Sequence, residues 1–331
     1  MAPEMKTTGF LSDMPYYIML AMKAKDSIKL WFDTLVQDGE CMDLTVLKID
    51  QSGVEEFNFP HGEVDGIGAF LNIHKKSDSL QVYTKMRHKR PWYHYLWGFL
   101  MYTKRLPFRS AKWKNFNKNW RQKYWQTKPF ARAYTVFSKE ETRQIKQLSK
   151  GLNVSLNSHL LFCLNKVLTN LQEPGKSIWL VPVSMRASLD EEIVKNEVGF
   201  TDAYCGSEDR VQDIDRQIKK RLKNLEHLGG VIGVSLGVFI GPWLLKKLVL
   251  LNKHLQVRTG VFTNLGEGRD PESKNMYSGY PPVIETQPVG ALAGIWNDSL
   301  TLALHFHPAL ELSKEQAEQI LAQWREAALK G

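Results

Sequence analysis

The stretch that most constrains this chain of 331 residues is Val54–Ile73, VEEFNFPHGEVDGIGAFLNI. Its first part alternates apolar and polar residues, with Phe57, Phe59 and His61 at alternate positions. In a strand these three side chains share one face, so we expect the imidazole to point inward with the two rings. A polar turn follows, and then Ile67–Ile73, an apolar segment that predicts a helix packing back on the strand.

A histidine, an aspartate four positions later and a glycine next to it form the pattern HxxxDG, here His61, Asp65 and Gly66. The pattern is uncommon enough by chance to be informative about a site, but it is not decisive. The alternative is a structural histidine bound to a backbone carbonyl, beside a turn made of Asp and Gly because these residues form turns. The pattern by itself leaves both interpretations open.

Three later segments accompany the pattern: Trp179–Arg186, WLVPVSMR; Val261–Gly266, VFTNLG; and a closing strand and helix over Leu300–Leu310 and Ser313–Leu329. With them the chain resembles, from His61 onward, the HxxxDG acyltransferase superfamily of chloramphenicol acetyltransferase, peptide-synthetase condensation domains, wax ester synthases and plant alcohol acyltransferases. The chain departs from the family in two ways. Pro60 replaces the first of two usual histidines, and the short stretch before His61 predicts a trimmed N-terminal lobe.

The resemblance implies an α/β fold of two lobes, a chloramphenicol-acetyltransferase-like sandwich of mixed sheets with flanking helices and a channel between the lobes. We expect residues 1–130 to form the N-terminal lobe, with the HxxxDG motif and a basic, Trp-rich segment, and residues 131–331 to form the C-terminal lobe. It also implies acyl transfer from a thioester, acyl-CoA or an acyl carrier protein, to a hydroxyl or amine. Coenzyme A thioester would be a co-substrate, and no permanently bound cofactor is expected.

The resemblance also assigns roles. His61 would be the general base, Asp65 a structural carboxylate paired with Arg186, and Gly66 the residue that leaves room for the donor. A buried carboxylate needs such a partner. The alternative for Arg186 is an exposed strand end.

The oxyanion of the tetrahedral intermediate would be stabilised by Thr263 or Asn264. The alternative for these two residues is that they only cap a turn into Gly266.

Charge is concentrated in one segment. The net charge is +9, and Ser79–Lys139 contains 15 Lys and Arg but no Asp or Glu. It also holds five of the ten tryptophans: Trp92, Trp97, Trp113, Trp120 and Trp125. Interleaved aromatic rings and cations suit contact with an anionic membrane surface, and we expect residues 85–128 to make that contact. The same segment favours a lipophilic acceptor. The alternatives are a dock for an acidic carrier protein or coenzyme A phosphates, a solvated basic face and a nucleic-acid groove; no nucleic acid is expected.

A second stretch, Leu228–Leu245, has 18 residues without a charge and a glycine every fourth position from Gly229 to Gly241. It leaves three possibilities open: a membrane span, a segment that dips into the membrane or contacts the acyl chain, and ordinary core.

Other features limit the chemistry and the compartment. Cys41, Cys163 and Cys205 are too far apart for a disulfide framework or a zinc site. His305 and His307 alternate on the closing strand without a nearby carboxylate or cysteine, so no metal is predicted. The first residues lack a secretion signal, which predicts a cytoplasmic protein. With the basic, Trp-rich segment, we expect it to be peripheral on the inner face of the membrane. A monomer is expected. The rival function is a catalytically silent membrane-surface or scaffold protein of the same fold.

Overall fold

A computed structural model describes residues 29–40, 42–74, 81–83, 90–104, 112–121, 130–186, 196, 198–230, 232, 243–244, 246–247, 250–251, 258–269 and 274–331. Cys41, most of Leu228–Leu245 and parts of residues 85–128 lie outside these ranges.

A small antiparallel sheet carries the HxxxDG segment. It consists of β1 (Asp43–Asp50), β2 (Gly53–Pro60) and β8 (Met276–Tyr280), in the order β2-β1-β8. The hairpin between β1 and β2 is closed by the Asp50 carboxylate, which accepts hydrogen bonds from the backbone amides of Ser52 (2.7 Å) and Gly53 (3.1 Å). This tight turn sets the register that pairs Asp43 with Pro60, so β2 ends just before His61.

A mixed sheet of seven strands forms the centre of the molecule. Its order is β4-β10-β9-β7-β5-β6, and β3 pairs with the far end of β7. The pairs β5–β7 and β7–β9 are parallel and the others are antiparallel. The seven strands are β3 (Gln81–Tyr83), β4 (Ala131–Val136), β5 (Ser177–Ser184), β6 (Val198–Cys205), β7 (Gly260–Arg269), β9 (Val289–Trp296) and β10 (Ser299–Phe306).

The helix predicted over Ile67–Ile73 is present, and the predicted closing helix runs from Lys314 to Lys330. Ser138 and Glu141 have the sequence spacing of a capping box, and the box is present, with the Glu141 carboxylate accepting from the Ser138 amide at 2.8 Å. The helices with the bounds used below are α1 (29–37), α2 (Gly66–His74), α3 (Trp92–Thr103), α4 (Lys139–Gly151), α5 (Leu156–Leu168), α6 (Val211–Lys223) and α7 (Lys314–Lys330), with 3₁₀ turns at Thr169–Leu171 and Pro308–Leu310. Residues 226–230 are also helical.

The central sheet is buried on both faces, and β9 shows how. Ala291 and Ala293 pack in a large core with α5 and α7, which includes Phe262 and Trp324. The next side chain along, Leu292, packs in a second core with the small sheet and α2. β9 is parallel to β7 and antiparallel to β10, and burial on both faces is typical of such a central strand. The second core is what brings α2, and with it Asp65, against β7.

Each sheet includes one strand from the other half of the chain. β8 comes from the C-terminal part yet completes the sheet of β1 and β2, whereas β3 comes from the N-terminal part and extends the central sheet. The boundary at residue 130 therefore stays a prediction. Within the described ranges, no helix is long and apolar enough to cross a bilayer. Residues 228–230 are buried; most of the remaining Leu228–Leu245 segment lies outside the described residues.

Candidate active site

The turn after β2 fixes the backbone of His61 from two sides. Its amide donates to the carbonyl of Met42 (3.1 Å), and its own carbonyl accepts from the side-chain amide of Asn196 (2.8 Å). The imidazole meets the ring of Phe32, on α1, edge to face at 5.1 Å between centroids. His61 is half-buried in this environment, with its position determined by three separate parts of the chain.

The two ring nitrogens of His61 differ in their surroundings. Nδ1 lies 3.1 Å from the carbonyl oxygen of Val64. Because a carbonyl only accepts, a neutral ring must carry its proton on Nδ1, and the lone pair then resides on Nε2. No described residue makes a hydrogen bond to Nε2. The ring is thus in the tautomer that a general base requires.

Burial lowers the pKa of His61 below its ordinary value of 6.5, and the Val64 carbonyl and the charge of Asp65 oppose that shift less strongly. The ring is consequently neutral at neutral pH. A neutral imidazole can accept a proton directly, because the ring does not first have to lose one.

Asp65 is held by an arginine and by a backbone amide. Its Oδ1 accepts from Arg186 Nη2 at 2.8 Å and from the backbone amide of Gly68 at 2.7 Å. The second bond caps the N-terminus of α2, where a carboxylate also interacts favourably with the helix dipole. The side chains of Asp65 and Arg186 are 1% and 0% exposed. The predicted pair is therefore in contact, and the alternative of an exposed strand end for Arg186 is wrong.

Gly66 allows β7 to approach α2. A Cβ atom at this position would lie 2.7 Å from Cδ2 of Leu265, so a side chain would force the two elements apart. The structure gives a packing reason for the glycine, whereas its role toward the donor stays a prediction.

Thr263 and Asn264 lie on opposite faces of β7. Asn264 is two positions after Phe262, so the two side chains share the face of β7 that packs against α5 and α7. There the side-chain amide of Asn264 donates to the side chain of Asn157 on α5. Its Oδ1 accepts from the amide of Gly266 at 2.7 Å, next to an irregularity in the β7–β9 pairing. Asn264 therefore bonds across an irregularity inside β7, not across a turn, and its role toward the oxyanion stays a prediction.

Thr263 is paired with Leu292, which belongs to the core beneath α2, as does Leu265. Thr263 thus lies on the face of β7 that carries α2 and the HxxxDG turn. Of the two oxyanion candidates, only Thr263 is on this face.

The motif did not predict Phe32, Asn196 or the Val64 carbonyl as neighbours of His61. Asn196 lies 135 positions from His61, in a stretch without a recognisable pattern. Phe32 is one of several apolar residues of α1. Nothing in the linear sequence indicates these contacts, because tertiary packing creates them.

His305 and His307 have separate partners. Nδ1 of His305 contacts the carbonyl of Pro281 at 2.7 Å, and Nε2 of His307 contacts the Glu40 carboxylate at 3.2 Å. Both side chains are buried. Across the described ranges, no three His, Cys, Asp or Glu side chains are grouped as a metal site would require.

Comparisons with known proteins place the fold. No protein-family model and no curated protein matches the chain. Among solved structures, the chain is similar to the TRI3 trichothecene 15-O-acetyltransferase from Fusarium sporotrichioides, with a TM-score of 0.55 and 12% identity over 85% of this chain and 66% of that one. It is also similar to the EpoB NRPS cyclization-docking bidomain from Sorangium cellulosum, with a TM-score of 0.50 and 9% identity over 82% and 59% of the two chains.

These likenesses confirm the predicted fold class, an α/β protein of mixed sheets with flanking helices of the chloramphenicol-acetyltransferase type. The chain spans less than two thirds of the length of each of these two solved chains.

Proposed function

We propose that this protein is an acyltransferase that moves an acyl group from a thioester, acyl-CoA or an acyl carrier protein, to a hydroxyl or amine of a lipophilic acceptor. The observation that carries the proposal is the state of His61. Its Nδ1 is bound to a carbonyl, its Nε2 makes no hydrogen bond to a described residue, and burial keeps the ring neutral.

The reaction follows from this geometry. Nε2 of His61 takes the proton of the acceptor hydroxyl or amine as the acceptor attacks the thioester carbonyl. The tetrahedral intermediate carries a negative oxygen, for which Thr263 is the hydroxyl donor on the α2 face of β7. When the intermediate collapses, the carbon–sulfur bond breaks and the imidazolium returns its proton to the leaving thiolate. Atoms and charge balance without a metal or a covalent acyl-enzyme.

Asp65 supports this chemistry without touching the reactants. Its bonds to Arg186 and to the α2 N-terminus hold the turn that contains Val64. The Val64 carbonyl in turn orients the ring of His61. The buried ion pair thus stabilises the turn, while His61 reacts.

The first experiment is product analysis by mass spectrometry. The protein is incubated with a series of acyl-CoA and acyl-pantetheine donors and a lipid extract, in parallel with His61→Ala and His61→Gln. We expect acylated product with the wild type and at most a trace with both variants, because neither can accept a proton at Nε2.

The control variant is His94→Ala, which removes a histidine from α3, outside the proposed site. It should form as much product as the wild type. Equal product from wild type and His61→Ala would remove His61 from the mechanism and leave the catalytically silent alternative.

A further inference from the structure

One face of α3 exposes four large apolar side chains. Tyr93, Leu96, Trp97 and Leu100 are 54%, 45%, 50% and 51% exposed. Their spacing of three, four and seven positions places them along one side of the helix, where they form a continuous surface that we call the α3 apolar face. Exposed apolar residues are ordinary when scattered, but a contiguous row with two aromatic rings marks an interaction surface.

The opposite side of α3 is fixed to the body of the protein. A Cβ atom at Gly98 would overlap the carbonyl oxygen of Leu225, and one at Gly229 would lie 2.6 Å from the carbonyl oxygen of Gly98. Tyr102, one turn later, is bonded to Arg258, whose guanidinium is paired with Asp202 at 2.7 Å. Because this close contact sets the rotation of the helix, the α3 apolar face stays directed outward.

The charged residues that flank α3 in the sequence are all of one sign. α3 itself contains no charged residue, and Arg90 and Lys104, just beyond its two ends, are both exposed. The surrounding segment Ser79–Lys139 has fifteen cations and no acid.

We infer that the α3 apolar face is a docking surface for an anionic lipid membrane. Tyr and Trp rings at the level of the headgroups, leucines directed into the acyl chains and cations at the helix ends are the arrangement of an interfacial helix. Negative headgroups complement Arg90 and Lys104. This inference is independent of the proposed acyl transfer.

Two other occupants fit this surface less well. A second copy of the chain would bring a face without acidic residues near a second set of cations, which repel each other. An acidic protein would need cations distributed across the contact, whereas α3 has none along its twelve residues. The combination of an uncharged aromatic face with cations at its ends therefore favours lipid.

Flotation of the full chain with vesicles tests the inference. We expect the protein to float with vesicles of phosphatidylcholine and phosphatidylserine and to float weakly with phosphatidylcholine alone. The triple variant Leu96→Ser, Trp97→Ser, Leu100→Ser should bind vesicles at least about tenfold more weakly than the wild type, because it loses most of the inserted apolar area. Arg90→Gln with Lys104→Gln should bind at least about fivefold more weakly, and high salt should weaken the wild type in the same way.

Matched controls separate this surface from general effects. Tyr134→Ser removes an exposed ring from β4, and Lys314→Gln removes an exposed cation from α7; both should bind like the wild type. His61→Ala should also bind normally, so a failure of the proposed catalysis would not affect this result. Thermal unfolding of the triple variant should stay cooperative, because about half of each substituted side chain faces solvent, with a modest loss of stability from the weaker helix propensity of serine.

Three outcomes would overturn the inference: unchanged vesicle binding by the triple variant, equal binding to neutral and anionic vesicles, or binding of poly-glutamate through α3 without binding of vesicles. A concentration-dependent dimer that the triple variant abolishes would assign the face to a second copy instead.

Discussion

Asp65 shows how one side chain in the motif is fixed by two structural requirements. It satisfies the N-terminus of α2 and neutralises Arg186, and both groups are removed from water. Either member of such a pair is costly to leave alone, because a buried charge without its partner retains its full desolvation penalty. The sequence could predict this pair, since the resemblance associates the motif with an arginine and WLVPVSMR supplies one.

We predict that Asp65→Asn lowers the free energy of unfolding by about 3–5 kcal/mol, because the buried guanidinium of Arg186 loses the charge of Asp65. Asn retains an oxygen that can still cap the Gly68 amide. Chemical denaturation measures the change. Asp43→Asn, at an exposed position, is the control and should change stability by no more than about 0.5 kcal/mol. Lost activity at unchanged stability would contradict a structural role for Asp65.

The pKa of His61 predicts how the reaction depends on pH. The neutral ring is the active form, and burial moves its pKa below 6.5. We therefore expect the acidic limb of the kcat/KM profile, where the ring gains its proton, to be centred below pH 6.5. The pH profile of kcat/KM measures this. An acidic limb centred above pH 6.5 would show that a different group, or an exposed histidine, controls the reaction.

Among the secondary structure elements, the sequence predicted those with a clear local pattern. β2 has alternation, α2 follows a polar turn with a capping aspartate, and α4 begins with a capping box. β9 had no such signal. Its residues VGALAGIW are mostly small and are buried on both faces, so apolar and polar positions do not alternate. Its strand conformation depends on pairing with β7 and β10, which is decided only in the folded chain.

α3 depends on glycine for its position. We predict that Gly98→Ala lowers the free energy of unfolding by about 1–3 kcal/mol, because the added methyl group would overlap a backbone carbonyl that cannot rotate away. Differential scanning calorimetry of the variant checks this.

The control for that prediction is Gly151→Ala, at the end of α4, where a Cβ atom would meet no other atom within 4 Å. It should be neutral or stabilising, because alanine favours the helix over glycine. If both substitutions had the same effect, helix propensity rather than close packing would explain the first.

At the scale of the whole molecule, the proposed site is assembled from distant parts of the chain. Phe32, His61 and Asn196 come from α1, the turn after β2 and the residue shortly before β6. A sequence motif could identify the central histidine but not the partners that other elements bring to it. The same is true of Thr263 and Asn264, which are adjacent in sequence and separated by the pleat of β7 into two different environments.

A buried histidine should make the whole fold sensitive to acid. Burial and the neighbouring Arg132 lower the pKa of His305 to about 3. Its stabilising contribution is fully present above pH 6.5, the unfolded value, and is lost progressively as the pH falls toward 3, because the unfolded chain takes up the proton first. This histidine alone should reduce the free energy of unfolding by up to about 1.4 kcal/mol per pH unit in that range.

His305→Asn tests this dependence, because asparagine can still donate to the Pro281 carbonyl but does not titrate. Denaturant unfolding is measured at several pH values from about 4 to about 7. The free energy of unfolding should depend less steeply on pH in the variant than in the wild type. Equal pH dependence of the two proteins would mean that the pKa of His305 is the same in the folded and unfolded chains.

The measurement that tests the account most directly is kcat/KM of His61→Ala against the wild type, with the donor and acceptor pair found by mass spectrometry. We predict a loss of about 10²–10⁴-fold, the usual contribution of a positioned general base, with an unfolding curve like that of the wild type. A kcat/KM equal to that of the wild type in a folded His61→Ala variant would contradict the account.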